Sequence, residues 1–243
     1  MQYLTFFIQI NLYLLLPILI FGIIFHILNT KSSSNLMTIG WGMYLLFAWI
    51  GTPIHELSHF LMCLLFGFKV SEVKLFRPFK GKKDGILGYV NYSYNPKNLY
   101  QKIGNFFVGI APMIGGSIVI YILFRFLMNP LYINLKTINT FNYENIKDIL
   151  FHTDYNIPYL LIFLILTIGI SMHMSISKED LKNAIYGIIW LELILIITSI
   201  VLTLFGIDLL LYIKIINILL LIVMFIGFIS NIFAFIITNI MKN

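Results

Sequence analysis

At 243 residues, with 60% hydrophobic and only 11% charged side chains and a mean hydropathy of +0.93, this chain lies outside soluble globular domains, in which roughly a quarter of residues carry charge. It reads as an all-α integral membrane protein, a single polytopic domain whose helices bury their surfaces in lipid and in one another. The net charge of +6 does not point to nucleic acid, because the cations gather in one segment beside the apolar runs, where positive-inside bias accounts for them.

In chain order, six membrane spans are predicted, at about 4–28, 36–67, 103–127, 157–174, 181–205 and 209–240, each near the ~20 residues needed to cross ~30 Å of hydrocarbon. The first apolar run is too long for a signal peptide and is expected to stay as a span. Between the second and third spans lie Lys69, Lys74, Arg77, Lys80, Lys82, Lys83, Lys97 and Lys102, and the link between the fourth and fifth adds Lys178 and Lys182. With six spans these segments share one side with both termini, and that side is predicted to be the cytoplasm of a multi-pass cell-membrane protein. The basic segment alternates over 69–75 and again over 88–94, with Asp84-Gly85 between. This predicts a small β-hairpin over 69–94 lying on the membrane surface, with Tyr89, Tyr92 and Tyr94 at the interface. The opposite loop, 128–156, is expected to be partly helical. No internal repeat is evident.

The chemistry sits in the second span, at His55-Glu56-Leu57-Ser58-His59. Four residues apart on a helix, the two imidazoles project from one face and can share a tetrahedral metal, one Zn²⁺ per chain, with Glu56 as the general base for water. An acid inside a lipid-embedded stretch costs at least a few kcal/mol, which favours a functional role. A catalytic zinc site needs a third protein ligand. Asp180, at the start of the fifth span, is one candidate, and His173, at the end of the fourth, is the alternative. Asp180 reads equally as part of a capping box with Ser177. Glu192 lies mid-span, about 120° around the helix from Asp180; it would be the distant glutamate ligand of another zinc family or a hydrogen-bond partner of a neighbouring span. Cys63 can approach the metal or simply pack, while His26 and His152 are expected on the outer side, away from the site. Gly109, Pro112, Gly115 and Gly116 are expected to pack closely beside the active site.

With these residues placed, the chain resembles the site-2 protease family of intramembrane zinc metalloproteases, and looks closest to its small bacterial, compact-core branch. The resemblance covers about 41–205. It rests on Gly51-Thr52-Pro53-Ile54-His55-Glu56-Leu57-Ser58-His59, on Gly109-Ile110-Ala111-Pro112-Met113-Ile114-Gly115-Gly116, and on the helix start that holds Asp180. It implies hydrolysis of a transmembrane protein or peptide substrate near the cytoplasmic face of the lipid bilayer, with Asp180 as third ligand. It also implies a membrane-lying strand that pairs with substrate, which agrees with Gly88, Tyr89, Val90, Asn91 and Tyr92 offering a sheet edge. Two departures stand out. The family's Leu-Asp-Gly is Glu179-Asp180-Leu181 here, and its asparagine after Gly-Pro is replaced by Gly115 or Gly116. The rival reading from another class is a metal-stabilised, non-catalytic membrane protein or a transporter; the latter would more often show repeated halves.

Overall fold

A computed structural model describes residues 2–136, 143–207 and 209–242. It is 81% helical with one two-stranded sheet. Helix α1 (Gln2–Ile10) passes through a π turn (Asn11–Leu15) into α2 (Leu16–Ile39), and Gly40 turns the chain into α3 (Trp41–Leu65). Strand β1 (Lys69–Lys74), the short helix α4 (Pro78–Asp84) and strand β2 (Tyr89–Ser93) follow, then α5 (Leu99–Gly109) and α6 (Ala111–Leu127). The remainder is α7 (Asn129–Lys136), α8 (Tyr143–His152), α9 (Ile157–Ser171), α10 (Lys178–Leu204) and α11 (Leu210–Lys242).

The all-α membrane character stands, but the count of six spans does not. Among the described residues, three helices are long and apolar enough to cross a membrane: Tyr3–Ile39, Lys178–Leu204 and Ile216–Lys242. A fourth results if α5 and α6, bent by 57° at Ile110, are taken as one crossing. The predicted second span falls on α3, which has the length at 25 residues but is diluted by Thr52, Pro53, His55, Glu56, Ser58 and His59. The predicted fourth falls on α9, whose 15 residues reach only about 22 Å at 1.5 Å per residue. The first was drawn too short, since Asn29, Ser32 and Asn35 are buried polar residues inside a helix that runs on to Ile39. In the predicted outer loop, α7 and α8 are the helical part, and residues 137–142 lie outside those described.

The hairpin forms in antiparallel register, with Val70 opposite Tyr92, Val73 opposite Val90 and Lys74 opposite Tyr89, and a bulge between Val70 and Glu72. Its connection is the helix α4, which sequence read only as turn-rich. Gly85 closes α4 in the left-handed conformation (φ 76°) that a side chain would strain. Arg77 pins the connection: its guanidinium pairs with Asp84 at 2.6 Å and lies 5.2 Å from the Tyr89 ring. The Ile86 backbone N–H and that guanidinium hold the Asp84 carboxyl below its ordinary range. Trp41 Nε1 donates to the Pro78 carbonyl at 3.3 Å, tying the lip to α3.

The bundle core is a cluster of Phe25, Phe106, Ile110, Met113, Ile120, Ile170, Met174 and Met224, from α2, α5, α6, α9, the α9–α10 link and α11. α3 packs on α2, α5, α6 and α9, which bury Glu56, Ser58 and His59, while Leu46, Trp49, Leu57 and Leu61 form an exposed apolar face.

Candidate metal centre

The i, i+4 spacing on α3 brings His55 and His59 together, and two backbone carbonyls aim the rings. His55 Nδ1 donates to the carbonyl of His173 at 2.6 Å, and His59 Nδ1 donates to that of Val108 at 2.9 Å. A carbonyl can only accept, so each Nδ1 carries the proton and each neutral imidazole presents a bare lone pair at Nε2. Those two Nε2 atoms lie 3.2 Å apart. Two lone pairs facing each other in a buried site repel unless a cation lies between them or one ring is protonated.

Asp180 completes the group. Its Oδ1 is 3.5 Å from His59 Nε2, and one donor atom each from His55, His59 and Asp180 lie within 4.8 Å of one another. Zinc–nitrogen and zinc–oxygen bonds of about 2.0–2.1 Å at tetrahedral angles place neighbouring donors roughly 3.3 Å apart, which the His55–His59 and His59–Asp180 separations of 3.2 and 3.5 Å match. The other carboxylate oxygen, Oδ2, accepts from the Ser177 hydroxyl at 2.6 Å and from the Ser177 backbone N–H at 3.2 Å. The Asp180 N–H in turn donates to Ser177 Oγ at 3.1 Å, completing the capping box. The cap therefore uses Oδ2 and leaves Oδ1 facing the imidazoles, so the capping role does not compete with ligation for the same oxygen.

The alternative ligand, His173, does not join this cluster through its ring. Its Nδ1 donates to the Gly169 carbonyl at 3.0 Å, and its contribution to the site is the backbone oxygen that holds His55. Cys63 is fully buried in an apolar pocket with Phe66, Phe68 and Val108. Glu192 is distant, bonded through Oε2 to Asn11 Nδ2 at 3.2 Å on the opposing helix.

The centre opens into a cleft of about 550 Å³ whose walls include His55, Glu56, His59, Asp180, Asn183, Arg77 and the whole predicted strand Gly88, Tyr89, Val90, Asn91 and Tyr92. Nothing among the described residues hydrogen-bonds the Glu56 carboxylate, and it borders the cleft. Gly88 crosses directly over it: a Cβ there would sit 2.6 Å from Glu56 Cγ and 3.0 Å from two carbonyl oxygens of the β1 side. Asn183 Nδ2 donates to the Tyr92 hydroxyl at 2.9 Å, fastening β2 to the helix that carries Asp180. Burial pushes the Tyr92 phenol well above its ordinary range, so it stays neutral. Close packing holds the elements in place. A Cβ at Gly109 would overlap the Asp180 carbonyl and Ala184, and one at Gly115 would overlap Ser58, between the two histidines.

A second cleft, about 480 Å³, reaches His55 and Glu56 from the other side, past His26, Thr30, Ser33, Thr52 and Lys178. This corrects the expectation that His26 is remote from the site: because α2 continues to Ile39, His26 lies beside the centre rather than at an outer end. His152 is exposed on α8, near only Asp148. Sequence reasoning missed the carbonyls of Val108 and His173, for which no side-chain signal exists. It also missed Arg77 and Asn183, whose roles depend on the folded hairpin.

No protein-family model, no curated protein and no solved structure matches this chain. The functional reading therefore stands on the geometry and on the motif passages.

Proposed function

We propose that this chain is an intramembrane zinc metalloprotease of the site-2 protease type, which hydrolyses peptide bonds of membrane-embedded substrates near the cytoplasmic face. The supporting observation is the meeting of His55 Nε2, His59 Nε2 and Asp180 Oδ1 at zinc-like separations, beside an unbonded glutamate, in a cleft walled by a β-strand. His55, His59 and Asp180 would hold the zinc ion, which would supply Lewis acidity for activating water and polarising a carbonyl. Glu56, free of hydrogen bonds and facing the cleft, takes the proton of the attacking water and hands it to the leaving amine. The cleft-side edge of β2, Gly88 to Tyr92, receives the substrate as an added extended strand, because a peptide bond inside a helix is not accessible. A site that only braced the bundle, or one that passed a metal across the membrane, would have no use for Glu56.

The basic hairpin marks the cytoplasmic side. The function is tested with Glu56→Gln in purified protein reconstituted with candidate transmembrane substrates. Zinc content stays at the wild-type level, while cleavage falls by about 10²-fold or more, as loss of a general base requires. Undiminished cleavage would falsify the assignment of Glu56.

A further inference from the structure

We propose that the groove between α1 and α10, with the Glu192 carboxylate in its wall, docks the transmembrane helix of another polypeptide through a hydrogen-bond-donating side chain within the bilayer: lysine, arginine or an amide. The proposal holds whether or not the metal centre is hydrolytic.

Glu192 lies near the middle of the 27-residue span Lys178–Leu204, roughly 21 Å along the helix from its start. A carboxylate at that depth is costly unless it is paired. Its one partner among the described residues is the Asn11 amide, 3.2 Å from Oε2. The second hydrogen of the same Nδ2 goes to the Phe7 carbonyl at 3.1 Å, so Asn11 has no donor left for Oε1, and no other described residue donates to it. No lysine or arginine among the described residues forms an ion pair with it. The carboxylate and Asn11 open into a groove of about 540 Å³ that is otherwise apolar, bounded by Phe7, Leu12, Leu16 and Ile188.

Two further features belong to the same place. The π turn begins at Asn11, and such irregularities, unfavourable on their own, are found mostly where a function uses them. The lips of the groove, Ile8, Leu12 and Leu16, are about half exposed, leaving room for a helix along α1. An acyl chain would cover the apolar walls but has no donor for Oε1, and headgroups lie too far along α10 to reach it. A helix that brings its own donor satisfies both the walls and the carboxylate.

The full chain, reconstituted in liposomes with benzoylphenylalanine in place of Leu12, provides the test. It is irradiated with a membrane-spanning leucine–alanine peptide that carries one central lysine, or with the same peptide carrying leucine there. The lysine peptide should be captured about three- to thirtyfold more, the range expected of one interhelical polar contact in a bilayer. Glu192→Leu should abolish the preference, and Glu192→Gln, which keeps an acceptor oxygen, should retain part of it. Equal capture of the two peptides by the wild-type chain overturns the proposal. So does a lysine preference that survives in Glu192→Leu, or adducts that form only between two copies of this chain. Zinc content measured on each variant shows that its fold is intact, independently of any cleavage.

Discussion

The two oxygens of Asp180 are divided between holding a helix end and facing the imidazoles where the proposed zinc would lie, and this division makes a specific demand on Ser177. Removing the hydroxyl in Ser177→Ala frees Oδ2 and takes away the cap on the Asp180 N–H. Zinc affinity should fall about 10–100-fold, as for other outer-sphere partners, with about 1 kcal/mol lost in stability from the cap; competition with a fluorescent chelator measures the first. The competing ligand assignments separate cleanly. His173 serves through its backbone oxygen, so His173→Ala should keep close to one zinc per chain by elemental analysis, whereas His55→Ala and Asp180→Ala should lose it. A zinc-free His173→Ala would restore that imidazole as a ligand. The His pair was legible in the sequence because helical periodicity alone places residues four apart on one face, and Glu56 was legible as the acid adjoining that pair. Asp180 was legible only as one of two candidates, since its distance from His59 is set by the packing of α3, α5 and α10. The carbonyls of Val108 and His173 could not be read at all, because every residue has one.

Between elements, the approach of α6 to α3 is set at Gly115. A methyl group there would overlap the Cβ and hydroxyl of Ser58, which donates to the Ile54 carbonyl at 2.6 Å within α3 and stands one residue before His59. Gly115→Ala should therefore destabilise the fold by about 1–3 kcal/mol, the usual cost of overpacking, and weaken zinc binding by displacing that turn of α3. Ser58→Gly in the same chain should recover much of both, a non-additivity that thermal unfolding of the single and double variants would reveal; purely additive effects would place the strain elsewhere. The small residues of this passage were read as packing positions, and they are; what sequence could not show is that the neighbour across the contact is the metal-binding helix itself. The hairpin was legible from its alternation to within a residue or two at each end. Its bulge and the helix α4 were not, because Pro78 to Asp84 holds lysines and a glycine with no apolar period, and its order comes from Arg77, Asp84 and Trp41 acting across the chain.

At the scale of the whole molecule, six crossings are too many because an apolar run counts as a span only if it is both long and uninterrupted. α3 is long but interrupted by the polar residues from Thr52 to His59; α9 is apolar but short. The helices that do meet the length and composition for crossing have largely exposed apolar faces, as a lipid solvent allows. In this arrangement the proposed metal would tie distant parts of the chain: His55 and His59 on α3 with Asp180 at the head of α10, brought together without any disulfide. Without a cation, two lone pairs 3.2 Å apart and a buried carboxylate oppose one another unless one ring takes up a proton. A ligand that binds only the folded state stabilises it by RT ln(1 + [L]/Kd), about 4 kcal/mol at a thousandfold excess over Kd. Purified protein should therefore unfold at a temperature several degrees lower after exhaustive chelation, and recover when zinc is returned. Asp180→Ala should start low and respond weakly to either treatment, because the tie to α10 is already cut. If chelation leaves the unfolding temperature of the wild-type chain unchanged while zinc is demonstrably removed, the three side chains are not holding the bundle together through a metal.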